Sequence, residues 1–152
     1  MINRRKVNRV LYHCYHVNVV LINHYLLIAG VILTIHGINN VMFSPHSRTN
    51  EQHLWLELCY VAGGVLAVST PFVNAYGYAK NSVKMMSNNC KIVCPVSFVV
   101  MFTAMVGMNY PGYWGWSTAA IITAIFNMLG ALGTTLLMPA EEDVEPFISP
   151  SL

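Results

Sequence analysis

Four long apolar blocks, separated by polar punctuation, make up most of the chain. The first covers about 17–43 and gives way to a polar stretch, 44–53, that carries Pro45. The second covers about 54–78 and is followed by Lys80, Lys84 and Lys91 among asparagines and serines. The third, about 92–110, stops at Pro111 and Gly112, and the fourth, 116–138, stops at Pro139. Each block is close to the twenty or so residues that a helix needs to cross about 30 Å of hydrocarbon. Proline and glycine mark the turns between them. The pattern predicts an all-α integral membrane protein, a four-transmembrane-helix bundle with short loops. A basic segment, 1–16, precedes the spans and an acidic tail, 139–152, follows them.

Composition supports the pattern. Hydrophobic residues make up 55% of the 152 and charged residues only 9%, against about 25% charged in an ordinary soluble domain. So few charges cannot cover a water-exposed surface. A globular enzyme, a nucleic-acid binder and a disordered tail are all excluded on that ground.

Charge also orients the chain. An even number of crossings puts both termini on one side with the second loop. That side then holds Arg4, Arg5, Lys6, Arg9, Lys80, Lys84 and Lys91, seven of the eight basic residues, and Arg48 stands alone opposite. The positive-inside rule places both termini on the inner side, cytosol or mitochondrial matrix. The aromatic residues agree: Trp55, Trp114, Trp116, Tyr110 and Tyr113 fall at the outer ends, and Tyr12, Tyr15, Tyr76 and Tyr78 at the inner ends, as amphipathic rings at two interfaces should. Arg4 to Arg9 read as an inside anchor in preference to the end of a mitochondrial presequence.

Polar groups inside hydrocarbon need a partner or a task. The first span holds Asn18, Asn23, His24, Thr34, His36, Asn39 and Asn40; the other three offer Glu57, Asn74, Asn127 and small hydroxyls. The first helix is therefore expected to face protein on most of its circumference, with Asn18, Asn23, Asn39, Asn40 and Asn127 in cross-helix hydrogen bonds. A haem is the sharper alternative for His24 and His36. Twelve residues separate them, about 18 Å at about 1.5 Å per residue, so they cannot grip one haem from both faces, and only a haem shared with another subunit would use them. His36, His53 and Glu57, with His46 from the loop, form a weak candidate set for a divalent metal or a proton relay. Glu57, one turn into its span, is expected to reach interfacial water.

Gly63 with Ala67, Ala120 with Ala124, and Gly130 with Thr134 have the small-xxx-small spacing that permits close helix packing. Pro71 is expected to kink the second span, and Pro95 to sit harmlessly in the first turn of the third. Cys14, Cys59, Cys90 and Cys94 read as free thiols, since Cys90 and Cys94 have three residues between them where redox and zinc motifs have two.

Residues 115–137, GWSTAAIITAIFNMLGALGTTLL, resemble the fourth helix of peripheral-myelin and claudin-type tetraspans. That family's long first extracellular loop, with a tryptophan and paired cysteines, has no counterpart in 44–53. Length and span number are similar to those of the small membrane glutathione-transferase family, whose charged helix motifs are absent here. No family is assigned.

With short loops, no extramembrane domain and few catalytic candidates, the sequence points to a non-catalytic accessory subunit of a multi-subunit membrane complex. A respiratory-type assembly of the mitochondrial inner membrane is the setting suggested by analogy. The alternatives are a small tetraspan regulator of a channel or receptor at the plasma membrane or endoplasmic reticulum, and a haem-binding or ion-conducting subunit. Other transmembrane subunits and bound lipids are the expected partners, with no cofactor and no nucleic acid.

Overall fold

A computed structural model describes residues 4–44, 51–80 and 82–137, the side chains of 4–12, 14, 15, 83 and 137 excepted. Pro45, His46, Arg48, Pro139 and the acidic tail from Glu141 to Glu145 lie outside the described residues. So do the side chains of Arg4, Arg5, Lys6, Arg9, Tyr12, Cys14 and Tyr15.

The described residues form four helices: α1 (Arg4–Phe43), α2 (Glu51–Ala79), α3 (Val83–Gly107) and α4 (Trp114–Leu137). Each contains a stretch long and apolar enough to cross a membrane. Successive helices run antiparallel. Gly37 packs on Glu57 and Val61, and Gly30 on Gly64 and Val68. Asn23 meets Asn74, so α2 numbers rise as α1 numbers fall. The start of α1 and the end of α4 consequently lie at one end of the bundle.

Each helix touches its neighbours around the bundle, and α2 also meets α4 across the centre, where the Tyr60 hydroxyl and Ser117 Oγ are 2.7 Å apart. This diagonal makes α2 and α4 the central pair. In their most apolar stretches 44% of residues are buried, against 28% in α3 and 22% in α1. The expectation that α1 faces protein around most of its circumference does not hold within this chain: it is the least covered span, sending Leu26 and Leu33 into the core and leaving its other side exposed.

Small residues set the approach of the helices. A Cβ on Gly30 would stand 2.7 Å from the Gly64 carbonyl oxygen, and one on Gly64 would stand 2.6 Å from that of Gly30. The two backbones are therefore in direct contact where α1 crosses α2. Gly63 receives Val100 of α3, Gly130 receives Leu26 and Ile22 of α1, and Ala67, Ala120 and Ala124 are buried. These positions are used inside the chain.

Several boundaries differ from those in the hydropathy pattern: α1 already begins at Arg4, α3 ends at Gly107 and α4 begins at Trp114. The helix α3 begins at Val83 and not near 92, so Lys84 and Lys91 ride on it. Ser82 caps it, its Oγ accepting from the Met85 amide at 3.3 Å. Pro95 consequently lies in the helix interior and not in its first turn. The polar run 83–91 reads as a loop because asparagine and serine favour loops, but here Asn89 bonds into the bundle. The helix α2 starts at Glu51, three residues earlier than the apolar block.

Candidate functional site

Buried polar side chains gather at two depths. Near the start of α2, Glu57 sits six residues into the helix on the face that meets α1, and its exposure is 0%. The expectation that it reaches interfacial water is therefore overturned. Glu57 lies under α1, where Asn40 Nδ2 donates to Glu57 Oε1 at 2.9 Å. Glu57 Oε2 is buried without a hydrogen-bond partner among the described residues.

The same Asn40 amide lies 3.0 Å from His36 Nε2. An amide nitrogen has two hydrogens, so Asn40 donates to both, which makes His36 Nε2 an acceptor and leaves the ring proton on Nδ1. The His36 ring stacks on Trp116 of α4 at 3.6 Å and 13°. Trp116 is thus a packing residue as well as an interfacial one, whereas Trp55 and Trp114 are 70% and 66% exposed.

His53 approaches from the turn above. Its Nδ1 is 3.1 Å from the Tyr113 hydroxyl, and its ring packs against Tyr110 and Tyr113. Burial, and then the neighbouring Glu57 carboxyl group, push Tyr113 up to about 12, so this phenol keeps its proton at any physiological pH. The Tyr110 hydroxyl donates to Gln52 Oε1 at 2.7 Å, tying the 108–113 turn to the start of α2. The structure thus strings out His36, Glu57 and His53 with Asn40 and Tyr113 among them. It gathers no three histidine, cysteine or carboxylate ligands among the described residues.

Deeper in, Asn74 of α2 joins all four helices. Its Nδ2 donates to Asn23 Oδ1 of α1 and to the Gly130 carbonyl of α4, both at 3.4 Å. Its Oδ1 accepts from Asn89 Nδ2 of α3 at 3.1 Å. Between the two clusters, Asn127 Nδ2 lies 3.5 Å from Ser97 Oγ, and Asn127 Oδ1 is buried without a hydrogen-bond partner among the described residues.

Of the amides singled out from sequence, Asn23, Asn40 and Asn127 bond across helices, while Asn18 and Asn39 are exposed on α1. Asn74 and Asn89 were missed as packing residues. Asn74 is the one amide in the span of α2, a signal that could have found it; Asn89 was hidden by its polar neighbours. His24 is exposed, and its Nδ1 donates to the Val20 carbonyl at 2.8 Å. His24 and His36 therefore occupy different surroundings, one on the bundle surface and one stacked inside.

The thiols carry little further. Cys90 and Cys94 Sγ atoms are 3.6 Å apart and unbonded, and Cys59 points at the Val100 carbonyl at 3.9 Å. What the clusters can do chemically is hold helices: amides, hydroxyls and one carboxyl group bond across helix interfaces, with Glu57 Oε2 and Asn127 Oδ1 left over among the described residues. Compared with known proteins, the chain matches no family model, no curated protein and no solved structure.

Proposed function

We propose that this chain is a non-catalytic accessory subunit of a multi-subunit membrane complex, and that the outward face of α1 is where another transmembrane subunit packs. One observation carries the reading. The span with the most amide and imidazole side chains is also the least covered, with Asn18, His24 and Asn39 on the surface of α1 beside exposed Leu21, Ile28 and Ile32. Amides and imidazoles facing hydrocarbon are costly, and a neighbouring helix offers them hydrogen bonds that lipid tails cannot.

In this reading both termini lie on the inner side, as the basic residues ask. The proposed setting is a respiratory-type assembly of the mitochondrial inner membrane, by analogy of form.

Photo-crosslinkers at Ile28 and Ile35, followed by gentle detergent extraction and native electrophoresis, test the reading. Expected are a species far larger than the 16.9 kDa chain and crosslinks to other membrane polypeptides from α1, but none from Phe98 or Phe102 on the exposed face of α3. Migration as a lone chain, or no crosslink from α1, would remove the accessory role.

A further inference from the structure

The helices α1 and α2 are in backbone contact at Gly30 and Gly64, but towards the basic end of the bundle they part and leave a groove of about 330 Å³. Its floor is the Asn23–Asn74 contact. Its walls are Val20, His24 and Leu27 from α1 and Phe72, Ala75 and Tyr78 from α2, with His16 at the mouth. The His16 and Tyr78 rings stand edge to face there, 6.4 Å between centroids.

Three features identify an occupant. The first is depth: from His16 to Leu27 is eleven residues, about 16 Å along a helix, or roughly half of a 30 Å hydrocarbon layer. Phe72 closes the groove at that level and separates it from a second, apolar hollow lined by Val31, Ile35 and Val65. The second is chemistry: Asn74 is taken up by Asn23 Oδ1, the Gly130 carbonyl and Asn89, and the deep walls, Val20, Leu27, Phe72 and Ala75, present mainly carbon.

The third is charge. Lys80 is exposed two residues beyond Tyr78, and α1 continues past the mouth through the sequence positions of Arg9, Lys6, Arg5 and Arg4. The carboxylates among the described residues, Glu51 and Glu57, are at the opposite end.

We propose that this groove binds one anionic phospholipid. Its phosphate lies at the level of His16 and Lys80, and one acyl chain runs along Val20 and Leu27 to Phe72. Basic residues at a membrane surface attract such headgroups, and the apolar walls give the tail a fixed seat. The proposal does not depend on the accessory-subunit reading, because it is tested on the isolated chain.

The test is native mass spectrometry of the full chain in detergent, titrated with phosphatidylglycerol and phosphatidylcholine of identical tails. One phosphatidylglycerol adduct is expected, favoured over phosphatidylcholine by about fivefold, the effect of one basic residue near an anionic group. Ala75→Trp and Val20→Trp fill the groove from opposite walls and should each abolish the adduct. Ile125→Trp, on the exposed surface of α4, should leave it. The His16→Ala, Lys80→Ala double variant should bring phosphatidylglycerol down to the phosphatidylcholine level. Equal adducts of the two lipids, adducts indifferent to both groove-filling variants, or a two-chain species in place of a lipid adduct would each overturn the proposal.

Discussion

Asn40 and Glu57 meet across the α1–α2 interface, an amide nitrogen 2.9 Å from a carboxyl oxygen, seventeen residues apart in sequence. The same amide reaches His36, which stacks on Trp116. Three helices are therefore joined through one asparagine.

The first prediction follows from that pairing. Asn40→Leu strands a fully buried carboxyl group and should cost about 1–3 kcal/mol, read as unfolding of the purified chain in mixed micelles. Glu57→Gln keeps the acceptor at Oε1 and removes the buried charge, and should cost less than Asn40→Leu in the same assay. If Glu57→Gln instead removed activity from a fully assembled complex, the accessory role would be wrong and a redox or conducting role would take its place.

Asn74 is the hub of the deeper cluster. Asn74→Leu should cost more than Asn23→Leu, since it loses contacts to three helices where Asn23 loses one. The single cross-helix bond is worth about 0.6–2 kcal/mol in a membrane. Equal stability of the two variants would mean that the amides are not interlocked.

Close approach at the α1–α2 crossing gives a third test. Gly30→Ala places a Cβ against the Gly64 carbonyl oxygen, and backbone cannot move aside as a side chain can. The helices must separate, at about 1–3 kcal/mol. Gly115→Ala, with nothing within 4 Å, should be silent in the same assay.

Tyr113 gives a test by pH. Its folded-state pKa, about 12, lies above the usual tyrosine value near 10. The stability due to the neutral phenol is therefore fully present below about 10 and lost as pH rises towards about 12. The difference between ultraviolet titrations of the parent and Tyr113→Phe should place this phenolate near the upper value. A difference centred at 10 would mean that the hydroxyl is open to water.

Topology can be read with cysteine labels in a cysteine-free background. A label at Lys84, exposed near the start of α3, should react only after the inner side is opened, and one at Arg48 should react from outside. Equal outside reactivity at both would refute the orientation.

The sequence by itself determined that there are four helical spans, because crossing a bilayer is a matter of apolar length, a property local to each segment. It also determined which end of the bundle is basic. Tertiary structure alone decided the rest. Whether Glu57 meets water or Asn40 depends on how α2 is rotated against α1, which no hydropathy average resolves. Asn18 and Asn39 lie outside and Asn23 and Asn40 inside on the same helix because α2 and α4 take the centre, leaving α1 only one side to pack. Asn89 leaves its polar stretch for the bundle because Asn74 offers it an acceptor from another helix. Hydrogen bonds and backbone contacts of this kind are made between segments distant in sequence, so the residue types are written in the chain but their partners are chosen by packing.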